Sequence, residues 1–226
     1  DHRDLHSFPT RRSSDLKGHL PVVSNIGCAL KDDLKRRDFT INAMAKRTTD
    51  GEVIDILGGI DDIKSKKLRV LHDKSFEDDP TRILRALKFS LRFGFTLDGN
   101  TRLLQEEYLK NINYDMSYHR LKKELVETFN LNSQEAYERF TSEGIYKLLG
   151  KFVHLPECHP DFMNLNYSGR HIWLIYLSFF NLDNLELTRA EKRIIEWAER
   201  LKTEKQTNNT PIESIIINEI YKEAVS

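Results

Sequence analysis

Asp79 to Phe93 constrains the architecture of this 226-residue chain more than any other stretch. Ile83, Leu84, Leu87, Leu91 and Phe95 recur at helical spacing and fall near one face, so the segment is expected to be an amphipathic helix with a buried stripe. Pro80 sits where a first-turn proline is tolerated, and Gly94 is placed to close the helix as its C-cap. Helical periodicity governs the chain from Lys74 onward. Further helices are expected at Asn100 to Lys110, Ser117 to Asn130, Ser133 to Ser142, Ile172 to Phe180 and Thr188 to Thr203. Lys151 to Ser168, with Pro156 and Pro160, reads as a loop-rich connection. Before Lys74 the pattern is mixed. Leu20 to Ile26, Glu52 to Ile56 and Leu68 to Leu71 suggest short strands, and Asp61 to Ser65 a helical turn. Asp38 to Ala45 suggests a helix with Asp38 as its N-cap, preceded by a charged turn, KDDLKRR. The expected class is α+β: a small mixed piece followed by an all-α array.

Bulk composition narrows the function less. Lys+Arg and Asp+Glu both number 35, so no global basic field argues for nucleic acid, although a local basic stripe remains compatible. Two cysteines far apart argue against a disulfide framework and fit a reducing cytoplasm. No apolar run approaches the roughly 20 residues of a membrane span.

Two short runs carry chemistry. Asp79 and Arg82 stand three residues apart, hence side by side on a helix. A carboxylate accepts from an amino group and a guanidinium donates to a ring nitrogen. Cytosine and adenine both present an exocyclic amine beside an acceptor nitrogen, whereas guanine and uracil present the reverse. The pair therefore suits C and A over G and U, with a penalty on the order of 1–3 kcal/mol for each polar group left unpaired. Read alone, the same two residues are an ordinary intrahelical ion pair. The earlier run, RRDFTINAMA, offers Arg36 and Arg37 as forked donors to phosphate oxygens. A helix beginning at Asp38 would add backbone N–H groups, and Asp38 and Asn42 would share a face suited to ribose hydroxyls. Alone, this too is an ordinary charged turn with a cap.

Order changes the weight of these runs. DLKRRDFTINAMA, then DILGGIDDIKSKKLRV, then FEDDPTRILRALKFSLRFGF, then SYHRLKKEL resembles the class II tRNA nucleotidyltransferase and bacterial poly(A) polymerase family, the CCA-adding enzymes and their relatives. The resemblance covers Leu20 to about Leu149. It implies that Arg36, Arg37, Asp38 and Asn42 form a ribose- and phosphate-binding motif. It implies that Asp79 and Arg82 read the base, with Arg85 supporting the same site. Asp55, Gly58, Gly59 and Asp61 match a hinge between head and neck, and Arg120 and Glu124 match a helix-stabilising motif of the neck. Asp78 departs from the pattern, standing where the family usually has Glu.

The resemblance further implies a catalytic strand with two aspartates one residue apart, holding two Mg²⁺ ions that activate the primer 3′-hydroxyl and neutralise the triphosphate. No such segment precedes Lys17. Asp32-Asp33 and Asp61-Asp62 are adjacent pairs, which alternate faces on a strand and do not substitute. Asp1 to Leu16 resembles the translation of a sequencing-adapter oligonucleotide and is read as a cloning scar, the alternative being a natural disordered N-terminus. The expectation is therefore a chain without its own metal-binding or catalytic aspartates, inactive or nearly so.

Other groupings are weaker. His72-Asp73 resembles one element of metal phosphohydrolases without the remaining ligands. His154, Cys158 and His159 lack an obvious fourth ligand for Zn²⁺. Lys64, Lys66, Lys67 and Arg69 form a basic cluster that suits RNA phosphate or a solvated face. Tyr167, Trp173 and Tyr176 could stack on RNA, though Trp173 and Tyr176 have core spacing.

The resulting expectation has four parts: an adapter-derived 1–16, an incomplete nucleotidyltransferase head over 17–72, a helical neck over 73–150 and a helical body fragment over 151–226. The implied reaction is template-independent addition of C and/or A nucleotides, from CTP and ATP with Mg²⁺ in the intact parent, to the 3′ end of tRNA or another RNA in the cytoplasm. The competing reading is a non-catalytic nucleotide- or RNA-binding helical module.

Overall fold

The computed structural model describes residues 29–158, 160–163 and 165–225. The strand expected at Leu20 to Ile26, the run Asp1 to Leu16, Cys28 and His159 lie outside the described residues. The chain forms two compact units that divide between Ser117 and Tyr118. That division falls inside the stretch 73–150 read as neck. The physical reason is that the first helices of that stretch pack and hydrogen-bond with residues 36–39.

The first unit carries all the described strands. Helix α1 (Leu30–Lys35) leads to a single 3₁₀ turn, Thr40–Asn42. Strands β1 (Ala45–Lys46) and β2 (Val53–Ile54) pair antiparallel, with Ala45 opposite Ile54. Helix α2 (Gly59–Lys64) is followed by β3 (Lys67–Leu68), then α3 (Ser75–Asp78) and α4 (Thr81–Phe93). Strand β4 (Thr96–Leu97) returns parallel to β3, with Leu68 opposite Leu97, and α5 (Gly99–Tyr108) closes the unit. Phe39 forms an isolated bridge with Val70. The strand ladders are two residues long, so side-chain burial rather than sheet pairing holds this unit.

Helix α4 keeps the expected buried stripe but begins at Thr81, not Asp79. Asp79 ends α3 in an extended conformation and Pro80 caps α4, so Asp79 and Arg82 do not share one helix face. Leu91 and Phe95 are only half-buried. Ile83, Leu84 and Leu87 are buried with Ala86, against a core that includes Leu34, Phe39, Leu68 and Phe76. Phe39 meets Phe89 edge-on at 5.8 Å. Each fully buried side chain of this size contributes about 1.5–3 kcal/mol. A helical surface ion pair contributes only about 0.2–0.5 kcal/mol. The apolar stripe therefore outweighs the helix's charges. Gly94 ends the helix in the left-handed region at φ +66°, its N–H donating to the Ser90 carbonyl.

Two further expectations for the first unit fail. KDDLKRR is not a turn: its first five residues belong to α1, with Leu34 buried, acidic residues in its first turn and Lys35 in its last. Asp38 to Ala45 is not a helix. Only Thr40–Asn42 turns, as a 3₁₀ segment, and Ala45 already belongs to β1. Asn42 ends the possibility locally, since its side-chain oxygen accepts from the Phe39 N–H at 3.3 Å, an alternative to helical backbone bonding. Asp38 is correspondingly not an N-cap.

The described regular elements of the second unit are all helical: α6 (Tyr118–Phe129), α7 (Ser133–Ser142), a 3₁₀ segment Ile145–Leu149, α8 (Ile172–Leu177), α9 (Arg189–Arg200) and α10 (Ile212–Val225). Asn132 caps α7 through Glu135 N–H, and Thr188 with Glu191 forms a reciprocal capping box on α9. Phe129, Phe140, Trp173, Ile175 and Tyr176 are buried in its core, which is why the aromatic residues of α8 are packing residues. Helix α8 stops at Leu177, three residues before the expected end, and α10 was absent from the sequence expectation. No described helix is long and apolar enough to cross a membrane.

Candidate nucleotide-binding site

The junction between α3 and α4 holds the two residues expected to read the base. Asp79 terminates α3 in an extended conformation, and its backbone carbonyl accepts from Arg82 N–H at 3.0 Å. Its side chain turns onto the start of α4. Asp79 Oδ1 accepts from Thr81 N–H at 3.2 Å and from Thr81 Oγ1 at 2.6 Å. Arg82 is 4% exposed. Its Nη1 donates to Ser75 Oγ at 2.6 Å and to the Ser75 carbonyl at 3.2 Å, while Nη2 reaches the Arg36 carbonyl at 3.4 Å. A cation this covered is tolerated because carbonyl and hydroxyl oxygens meet its N–H groups.

One turn further along α4, Arg85 Nε donates to Asp38 Oδ2 at 2.5 Å. Asp38 Oδ1 accepts from Asn42 Nδ2, also at 2.5 Å. Arg82 and Arg85 thus tie α4 to the run Arg36 to Asn42. The two stretches singled out in the sequence meet in one place. Asp38 and Asn42 share a network as expected, but through a 3₁₀ turn rather than along a helix.

Arg36 and Arg37 are gathered by Asp33, a residue without an assigned role in the sequence. Arg36 Nη2 contacts Asp33 Oδ1, and Arg37 Nη2 lies 3.1 Å from Asp33 Oδ2. Partial burial alone would push the Asp33 carboxyl up. The hydrogen bonds from Arg37 and Arg36, with their charges, outweigh it and hold the carboxyl below its usual 3.8. Arg37 stays exposed and Arg36 half-buried.

The expected hinge residues form a compact cap. Asp55 Oδ1 accepts from Leu57 and Gly59 N–H, and Oδ2 accepts from Ile60 N–H at 2.8 Å. Burial alone would push the Asp55 carboxyl up, but the backbone donors together outweigh it and hold the carboxyl below 3.8. Gly58 adopts φ +77°, where a side chain would be strained. At Gly59 a Cβ would sit 2.2 Å from the Thr40 carbonyl oxygen, so only glycine lets α2 approach the 3₁₀ turn. Asp61 is exposed and pairs with Lys64 at 3.3 Å. Its neighbour Asp62 makes the long-range contacts, accepting from Thr40 Oγ1 at 2.5 Å and Arg69 Nε at 2.9 Å. Arg69 also donates to the Leu57 carbonyl, which removes it from the exposed basic cluster formed by Lys64, Lys66 and Lys67. Arg120 and Glu124 lie one turn apart on α6 in the second unit, the first exposed and the second buried.

Sequence reasoning missed Asp33, Thr40, Asp62, Ser75 and Thr81. Asp33 and Asp62 belong to paired aspartates that were weighed only as metal ligands. Ser75 and Thr81 flank the EDDP run at positions where a hydroxyl carries no signal until the fold brings it to a charge.

The described carboxylates do not fit a pair of Mg²⁺ ions. Asp33 is engaged by two arginines and Asp62 by Thr40 and Arg69, and no group of three His, Cys, Asp or Glu converges among the described residues. His72 lies 3.5 Å from Asp78, while Asp73 accepts from Asn100, so His72-Asp73 does not act as a unit.

In the first unit, a mixed helix-and-strand fold, a buried Asp–Arg junction meets an arginine-rich turn. Comparison with known proteins places it more closely. Residues 3–69 match the family model of the poly A polymerase head domain, a match that runs through residues 3–16 as well as the turn at 36–42. An A-adding tRNA nucleotidyltransferase from Aquifex aeolicus is 51% identical over 82 residues, 35% of this chain and 10% of that protein. A CCA-adding enzyme from Bacillus subtilis is 36% identical over 135 residues, 57% of this chain and 33% of that enzyme. A solved structure of a CCA-adding enzyme in complex with ATP superposes with a TM-score of 0.68 at 25% identity, covering 87% of this chain and 59% of that one. Over these matched stretches the chain is similar to the class II tRNA nucleotidyltransferase and poly(A) polymerase family. It spans only about a tenth to a third of the two relatives' lengths.

Proposed function

We propose that this chain is the nucleotide-selecting part of a template-independent RNA nucleotidyltransferase, which adds C and/or A from CTP and ATP to the 3′ end of tRNA. The observation that carries the reading is the meeting of Asp79-Arg82 with the Arg36 to Asn42 run through the Arg82–Arg36 and Arg85–Asp38 contacts. In this reading Asp79 accepts from the exocyclic amine of cytosine or adenine and Arg82 donates to the adjacent ring nitrogen. Arg36 and Arg37 meet phosphate oxygens, and Asp38 and Asn42 the ribose. Arg85 supports the site by holding Asp38. Asp55, Gly58, Gly59 and Asp61 make the hinge of a head over 17–72. Arg120 and Glu124 stiffen a neck over 73–150, with a body fragment over 151–226.

The family resemblance and the ATP-bound relative support this reading, as does a site that pairs one carboxylate with one guanidinium. Mg²⁺ supplies Lewis-acid chemistry in such transfers, but the described residues here do not fit it. The 226 residues contain no two aspartates separated by a single residue. In this reading these 226 residues bind CTP and ATP and do not transfer them by themselves. The test is incorporation of labelled CTP or ATP, with Mg²⁺, onto tRNA lacking its 3′ end, beside direct binding of the same tRNA. Binding of nucleotide and tRNA without incorporation is expected. Robust incorporation contradicts the inactive assignment, and failure to bind either contradicts the reading as a whole.

A further inference from the structure

The two groups that would read the base are not held by each other in the contacts that fix them. Each is anchored by a neighbouring hydroxyl. Ser75, fully buried at the first position of α3, takes Arg82 Nη1 with both its Oγ (2.6 Å) and its carbonyl (3.2 Å). With Nη1 anchored twice, the guanidinium plane is fixed and Nη2 points in one direction, toward the Arg36 carbonyl at 3.4 Å. Thr81, 1% exposed at the first position of α4, holds Asp79 Oδ1 with its N–H and its hydroxyl. Two donors on one oxygen likewise fix the carboxylate plane.

The geometry points to Ser75 and Thr81 as positioning residues that set the choice of base. This rests on the proposal that Asp79 and Arg82 contact the base edge. Neither hydroxyl needs to touch the nucleotide. Each fixes the angle at which a charged group meets two adjacent atoms of the base. Such a pattern discriminates only if donor and acceptor stay in register, because a freely rotating guanidinium or carboxylate could also satisfy the reversed pattern of guanine or uracil. The contact from Nη2 to the Arg36 carbonyl is the longest of the three Arg82 bonds, so a base nitrogen that replaces it displaces the weakest one.

The experiment measures equilibrium binding of CTP, ATP, GTP and UTP to the full chain and to Ser75→Ala, Ser75→Thr, Thr81→Val and Thr81→Ser. The readout is the ratio of C and A affinity to G and U affinity, with circular-dichroism melting for every variant. Ser75→Ala and Thr81→Val are expected to reduce that ratio about tenfold. Ser75→Thr and Thr81→Ser, which keep the hydroxyl, are expected to stay near the parent ratio. A merely structural role would weaken all four nucleotides equally and leave the ratio alone. The positioning role is overturned if the ratio is unchanged in Ser75→Ala and Thr81→Val, or lost equally in the hydroxyl-retaining variants. If burial of Ser75 prevents Ser75→Ala from folding, the near-isosteric Thr81→Val decides the question. A parent chain that binds all four nucleotides equally overturns the base-reading proposal itself, a result distinct from failure of the variants.

Discussion

Arg85 Nε donates to Asp38 Oδ2 at 2.5 Å across 47 residues of sequence, and this bond fastens helix α4 to the turn that carries Asn42. Asp38 is 7% exposed, so its second partner matters more than an exposed ion pair would. Removing Arg85 leaves a covered carboxylate with Asn42 alone among these two partners. Arg85→Ala is expected to lower unfolding free energy by about 2 kcal/mol, less than for a fully buried pair because Arg85 is part-exposed. A double-mutant cycle with Asp38→Asn, read by urea denaturation, should give a coupling of about 1–3 kcal/mol. Additive effects would contradict the link.

Gly59 gives a steric prediction. Its missing Cβ is what allows the Thr40 carbonyl to approach. Gly59→Ala should cost about 2–4 kcal/mol, since both clashing partners are backbone and neither can rotate away. Thermal denaturation checks it. Gly99→Ala, where nothing lies within 4 Å of an added Cβ, is the control and should be nearly neutral.

Much of this was legible in the sequence. The stripe Ile83, Leu84 and Leu87 announced α4, and Ser133 to Ser142 matches α7 at both ends because Asn132 caps it and the periodicity is regular. Pairing the two charged runs also follows from sequence order. Local reasoning failed where tertiary contacts decide. Asp38 looked like an N-cap, yet the carboxylate is used by Arg85, 47 residues away. Asp61 and Asp62 are indistinguishable in sequence, and only the approach of Thr40 and Arg69 selects Asp62. Strands of two residues carry too little alternation to fix their ends.

Acid should loosen the first unit through Asp55 and Asp33. Both folded-state carboxyls lie below the ordinary 3.8. A depressed folded value means that their contribution is present above 3.8 and is lost as pH falls through the folded value. Urea midpoints should therefore fall below about pH 4. Asp55→Asn should flatten part of that fall, because the amide keeps an acceptor oxygen without titrating. An unchanged acid profile in Asp55→Asn would contradict a stabilising contribution from the Asp55 charge.

The second unit offers an independent check. Lys122 Nζ lies 2.5 Å from Glu191 Oε2 and also donates to the Glu186 carbonyl, while the same glutamate closes the capping box with Thr188. Glu191→Ala should destabilise by about 1–3 kcal/mol, combining a lost cap with a stranded lysine. Lys122→Met should cost less, because Glu191 keeps the Thr188 N–H as a donor to its carboxylate. Equal losses would contradict the shared role of Glu191.

The central claim is that Asp79 and Arg82 select the base. The most direct measurement is a titration of the full chain with CTP, ATP, GTP and UTP, repeated on Arg82→Ala with folding monitored by circular dichroism. CTP and ATP are expected to bind at least about tenfold more tightly than GTP and UTP, with the difference erased in folded Arg82→Ala. Equal binding of all four by the parent chain, or a preference that survives Arg82→Ala, would contradict it.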